Sequence, residues 1–273
     1  MDFQFPTGEA VVVKHLRVSV RSDVVAESLR RSLQIAAQCR ADGIQLDVRT
    51  QWRVSEFSDT AVRQLRKMLD DLDLRITSVR FHTRRGYDQS EDLQRRVDAT
   101  KGAMKLAYRL GCRCVVNSIG HVPDPEHEDY EQLAQVMDDL GRHGTHVGAF
   151  LAAETGANDP AALSDLLKRS EGGYVAVALN PGQLVVNRFS VDEALQHLGD
   201  RVLVVQAVDA VWDLSAGRGM SVPLGRGIVD FPTIMANLSQ RGFDGDYVVG
   251  RLAMDRPDAE VADAVQYLRN LMV

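Results

Sequence analysis

The chemistry-bearing residues of this sequence stand where apolar runs break off. "FLAAE" ends in Glu154, "AVALN" ends in Asn180 followed by Pro-Gly-Gln183, and "VLVVQ" ends in Gln206. Asp47 and Arg49 follow "GIQL", His82 follows "SVRF", His121 follows "VVNSIG", and Trp212, Arg226 and Arg251 come after the last two runs of this kind. A carboxylate at such a tip can take a proton from a substrate, and an imidazole or guanidinium can hydrogen-bond a developing oxyanion. Glu154 is therefore the candidate base, with Arg251 and His82 the candidates to polarise a carbonyl. Asp47, Arg49, His121, Asn180, Gln183, Gln206, Trp212 and Arg226 are candidates to hold the substrate. Asn180 and Gln183 hydrogen-bond hydroxyls but carry no charge, and divalent ions favour carboxylates and imidazoles. The competing reading of Glu154 is a buried carboxylate neutralised by an arginine, Arg251 first and Arg49 second.

What must position these residues is a chain that alternates strand and helix. Apolar, β-branched runs at 15–20, 43–49, 74–81, 113–118, 146–154, 174–180, 201–208 and 246–250 read as strands. Between them lie segments of helical periodicity with local stop and start signals. Gly43 and Gly111 end helices, Asp159-Pro160 starts one, and Ser190 with Glu193 forms a capping box. Eight strands each followed by a helix, with no linker, predict a single (β/α)8 TIM barrel over residues 1–273. A doubly wound open sheet suits the same crossover spacing, but no strand leads into a Gly-x-Gly-x-x-Gly turn. In a barrel the active site forms at the C-terminal strand ends. Alternation puts Gln45, Asp47 and Arg49 on one face, and likewise Ala176, Ala178 and Asn180, and Val202, Val204 and Gln206.

Composition narrows the partners. The 273 residues are 45% hydrophobic and 26% charged, with a formal net charge of −6. That balance argues against a nucleic-acid footprint, which needs a basic face. No apolar stretch approaches the ~18 residues of a membrane span, and the N-terminus lacks a signal-peptide pattern. The three cysteines read as reduced thiols in a cytoplasmic protein. The sequence sets no oligomeric state.

"ADGIQLDVR", "LAAETG", "ALNPGQ", "VVQAVDA" and above all "VPLGRGIVDFPTIMANLSQRGFDGDYVV" resemble the xylose isomerase-like barrel superfamily, the sugar phosphate isomerases and epimerases related to AP endonuclease family 2. The resemblance implies a divalent metal held by four side chains at the ends of strands five to eight. Those positions fall on Glu154, Asn180, Gln206 and Gly250, so one ligand of four remains, and Gln183 stands where the family has a substrate-contacting histidine. It therefore implies a sugar-like ligand, no cofactor metal at the old position, and no second base for two-base epimerisation. An isomerase-like or lyase-like one-base reaction stays open, as does a non-catalytic descendant that binds a ligand or a protein partner. A third reading relocates the metal to Asp47, His82, His121 and Glu154. Arg84 and Arg85 beside His82 could hold an anionic group.

Overall fold

The structure is a computed structural model that describes residues 16–170, 172–213, 218–252 and 254–271. The reading of the N-terminus as leaderless falls on residues 1–15 and lies outside the described residues. Eight parallel strands close into a barrel: β1 (Val18–Arg21), β2 (Gly43–Asp47), β3 (Arg75–Arg80), β4 (Cys114–Asn117), β5 (Phe150–Glu154), β6 (Ala176–Leu179), β7 (Val202–Ala207) and β10 (Asp246–Val249). They neighbour one another in sequence order, and β10 pairs with both β7 and β1. A two-stranded antiparallel ribbon, β8 (Asp209–Val211) and β9 (Met220–Val222), stands on the C-terminal side of β7.

Helices α1 (Ser22–Val25), α2 (Leu29–Gln38), α3 (Asp59–Asp70), α4 (Leu93–Leu110) and α5 (Glu128–Val147) alternate with the first five strands. Helices α6 (Pro160–Lys168), α7 (Pro181–Val186), α8 (Val191–Leu198), α9 (Phe231–Gln240) and α10 (Pro257–Asn270) complete the outer layer. The caps read from sequence act as expected: Asp159 accepts from Ala161 N and Ala162 N, and Ser190 accepts from Glu193 N. Three boundaries differ from expectation. α5 runs to Val147, so His146, the first residue of the expected fifth strand, lies in the helix. Asn180-Pro-Gly-Gln, read as a turn, opens the short helix α7, since Asn180 caps it and Pro181 takes its first position. The ribbon was not foreseen, because strands of three residues carry too little alternation to be read.

Strand alternation divides the interior cleanly. Inward residues Cys114, Val116, Ala152, Ala176, Ala178, Val204 and Val248 form a small apolar plug inside the barrel. Outward residues such as Val115, Leu151, Val177 and Val205 pack beneath the helices in the larger core. Small side chains on β5 and β6 keep the plug shallow, so the inward positions above it are left to polar residues. No helix among the described residues is long and apolar enough to cross a membrane. The cysteines are free thiols, and burial pushes Cys112 up to about 12.

Candidate active site at the barrel mouth

Above the plug, a cavity of about 260 Å³ opens at the C-terminal end of the barrel. Arg21, Arg80, His82, Ser118, Glu154 and Asn180 line its floor and wall, with Gln183, Ser221 and Arg251 among the residues around its rim. Their spacing is strand parity. Arg21 lies two residues after Ser19, Arg80 and His82 follow Ser78, Ser118 follows Val116, Glu154 follows Ala152, and Asn180 follows Ala178.

Glu154 sits at the centre of a connected polar chain. Its Oε1 accepts from Asn180 Nδ2 at 2.7 Å, and its Oε2 lies 2.5 Å from His82 Nε2. The His82 ring N–H points off the oxygen axis, so this is a close polar contact and not an aligned hydrogen bond. His82 Nδ1 in turn faces Arg80 Nη2 at 2.9 Å. Arginine has only donors, so Nδ1 can only accept in this contact. Arg80 Nη1 reaches Asp47 Oδ2 at 3.4 Å. Burial pushes the Glu154 carboxyl upward, but the His82 contact, the Arg80 charge and the Asn180 amide outweigh it and hold the group at about 2. Glu154 is ionised throughout the neutral range.

Asn180 is fixed from two sides. Its Oδ1 accepts from Gln183 N at 3.1 Å, and its backbone N–H donates to Thr155 Oγ1 at 2.8 Å. The oxygen therefore faces the helix and the amide N–H faces the carboxylate, and neither assignment can be exchanged without losing both bonds. Gln206 is buried at 4% exposure with no partner for its Nε2 among the described residues. Gly250 ends β10 at φ 133°, and a Cβ there would meet Val24 Cγ2 at 2.8 Å and Arg21 Cβ at 2.9 Å.

Several residues chosen from sequence stand elsewhere. Asp47 is buried, but its Oδ1 accepts from the backbone N–H groups of Arg49, Thr50 and Gln51 and from the Thr50 hydroxyl, so it builds the turn after β2. Burial opposes this, yet those donors keep its carboxyl below the ordinary value. Arg49 is exposed, lies over the Phe81 ring and lines a separate cleft with Arg84 and Arg85. His121, Trp212 and Arg226 are exposed and none of them lines the mouth cavity. Arg251 lines the cavity, but its ion pair is to Glu260, with Nε 2.6 Å from Oε1, and not to Glu154. The arginine-neutralised reading of Glu154 is thus corrected in its partner: His82, Asn180 and Arg80 supply what Arg251 or Arg49 was expected to supply. The relocated metal set is not assembled either; among the described residues no three histidines, cysteines or carboxylates gather as a group that could hold an ion.

Arg21, Arg80, Ser118 and Thr155 were missed. The signal was present in the parity of "SVR" and "SVRFH", which puts Arg21 on the face of Ser19, and Arg80 and His82 on the face of Ser78. Asn117 has the opposite parity and points into the helix layer, where it donates to Tyr87 Oη at 2.7 Å and accepts from Thr83 N at 3.0 Å. It pins the loop that carries His82.

A family model described as "Xylose isomerase-like TIM barrel" matches residues 33–271. The chain belongs to that family. Solved structures of the xylose isomerase-like type agree with the fold. A xylose isomerase domain protein from Planctomyces limnophilus superposes with a TM-score of 0.81 at 20% identity, covering 94% of this chain and 95% of that one. A xylose isomerase-like TIM barrel protein from Mycobacterium smegmatis, in complex with magnesium, gives 0.75 at 16% identity over 95% and 97%. A sugar phosphate isomerase/epimerase from Parabacteroides distasonis gives 0.68 at 16% identity over 96% of each chain. No curated protein matches the chain at a significant level.

Proposed function

We propose that this xylose isomerase-like barrel binds a small polyhydroxylated, sugar-like molecule in its mouth and does so without the divalent metal that the resemblance implies. The observation that carries the reading is the orientation of Asn180. A metal ligand must present a lone pair, but the Asn180 oxygen caps α7 and its N–H group donates to Glu154. With Gln206 a neutral amide and Gly250 without a side chain, Glu154 alone offers a charged donor, and it is already engaged by His82. One carboxylate and two amides do not fit a divalent ion. They do fit hydroxyl groups, to which Glu154 accepts and Asn180, Gln183 and Ser118 donate or accept. The cavity of about 260 Å³ suits a molecule of monosaccharide size.

Proton transfer on such a ligand would run through the Glu154–His82 pair as an isomerase-like or lyase-like step. The alternative, a binding module without catalysis, is favoured by one observation: a carboxyl held at about 2 is a weak base and takes a proton from carbon with little driving force. Calorimetric titration with neutral aldoses, ketoses and sugar acids in the presence of EDTA tests the binding reading. Saturable binding that added manganese does not strengthen is expected; binding that appears only with the metal overturns it. Incubation of the ligand so found in D2O then separates the two classes. Deuterium at a ligand carbon, lost in Glu154→Gln while binding persists, establishes the enzyme. Its absence leaves the binding module.

A further inference from the structure

The mouth cavity contains more positive charge facing inward than a neutral sugar requires. Arg21 and Arg80 both line it, with side chains only 10% and 15% exposed. Each guanidinium is held from behind. Asp23 takes Arg21 Nε and Nη2 at 2.7 Å each, while Asp47 and His82 take Arg80 Nη1 and Nη2. Neither Asp23 nor Asp47 lines the cavity. That arrangement leaves Nη1 of Arg21 and Nε of Arg80 with no hydrogen-bond partner among the described residues.

The two cations also stand close enough to repel. The charge of Arg21 acts on Arg80, so the two guanidiniums lie within electrostatic reach of one another in the same cavity. Each guanidinium already has an aspartate behind it, so Arg21 Nη1 and Arg80 Nε are the donors that remain for an anion in the cavity. The Glu154 carboxyl lines the same cavity, so a compact anion fits at the arginine end, attached to a hydroxyl-bearing body at the Glu154 and Asn180 end.

Resting on the reading above that the mouth takes a sugar-like molecule, we infer that Arg21 and Arg80 form a carboxylate subsite, and that the ligand is a sugar acid. The planar guanidinium edges recognise a carboxylate geometrically as well as by charge. A phosphate of the same skeleton brings nearly a second negative charge toward Glu154 and is disfavoured for that reason.

The test compares glucuronate and gluconate with glucose and glucitol, and with glucose 6-phosphate, by calorimetry on the full-length protein. The acids are expected to bind about ten-fold or more tighter than the neutral compounds, as a charged hydrogen bond in a buried site allows. In the double variant Arg21→Gln/Asp23→Asn, which removes the pair without stranding a charge, the ratio of acid to neutral affinity should fall to near one. Arg80→Lys, which keeps the charge but loses the fork, should lower the preference less. Equal binding of acids and neutral compounds, or a preference that survives the double variant, overturns the inference and leaves the sugar-binding reading standing. Tighter binding of glucose 6-phosphate than of glucuronate overturns the carboxylate assignment. Failure of every compound to bind overturns both.

Discussion

Two carboxylates at the C-terminal side of the barrel, Asp209 at 1% exposure and Glu154 with its side chain 13% exposed, serve opposite ends. Asp209, at the start of the ribbon after β7, accepts from the backbone N–H groups of Ala210, Gly225, Gly227 and Val229. Glu154, at the end of β5, accepts from side chains only and faces a cavity. Asp209 ties down the loop 223–229, and a Cβ at Gly227 would come within 2.1 Å of its Oδ1. Asp230 then caps α9 by accepting from Thr233 N. The stretch that carries the strongest family resemblance, from Val222 to Val249, is therefore scaffold. Backbone donors make a carboxylate structural because they cannot be displaced by a ligand. Side-chain donors lining a cavity can be.

The largest expected effect falls on the scaffold member. Asp209→Ala leaves three N–H groups of the loop 223–229, and that of Ala210 in β8, without their acceptor, at a residue only 1% exposed. Urea denaturation should show a loss of about 3–5 kcal/mol. A loss below about 1 kcal/mol would mean that water replaces the carboxylate easily and that the contrast with Glu154 is empty.

Next in size is the restoration of the metal cage. Asn180→Asp with Gln206→His should leave the barrel folded, but adding Gly250→Glu places a side chain at φ 133° against Val24 and Arg21. The third change should cost about 2–4 kcal/mol, and manganese should not raise the melting temperature of the triple variant. A metal-dependent rise, which binding to the folded state alone would produce, would show that the strand end yields and that the cage is recoverable.

The barrel was legible because its signals are local: alternation on each strand, capping at Asp159 and Ser190, glycine stops. The mouth was most legible where a residue continues its strand's parity, although Gln183 in α7 and Arg251 in the loop after β10 also line it. Glu154 and Asn180 continue the parity of Ala152 and Ala178, and His82 that of Ser78 and Arg80, and all line the cavity. His121, Trp212 and Arg226 lie in loops, whose direction no periodicity encodes, and they point elsewhere. Asp47 continues its strand's parity yet was misread in role, because the sequence does not show that its own downstream N–H groups will claim it. Arg21 and Arg80 follow the inward parity of Ser19 and Ser78, but their charge suits an exposed face as well as a polar interior.

Acid titration sharpens the comparison at Glu154. Its carboxyl stands at about 2 in the fold against 4.5 for the unperturbed group. A depressed value stabilises the fold above the unfolded pKa and is lost as pH falls through the folded one. Glu154→Gln should therefore cost about 1–3 kcal/mol at pH 7, a difference that shrinks below pH about 4.5 and vanishes near pH 2. Urea midpoints of the two proteins across that window measure it. A difference that does not change with pH would place the cost in packing and not in the ionised contact with His82.

The smallest effect decides which cation belongs to which carboxylate. Arg251 and Glu260 are 15% and 17% exposed and 2.6 Å apart, so their pairing is partly desolvated. A double-mutant cycle of Arg251→Ala with Glu260→Gln should return a coupling of about 1 kcal/mol, above that of a surface pair. The parallel cycle of Arg251→Ala with Glu154→Gln should return less than about 0.5 kcal/mol, because His82 and Arg80 hold Glu154 and additivity is expected between groups that share no partner. Helix α10, through Glu260, then fixes Arg251 at the rim, while β3 fixes the charge of Glu154 through Arg80 and His82. Should the second coupling exceed the first, Arg251 would be acting across the cavity, and Glu154 would share the arginine-held character of Arg21 and Arg80's own carboxylates. The distinction between a carboxylate claimed by scaffold and one left to a ligand would then no longer separate Glu154 from Asp23 and Asp47.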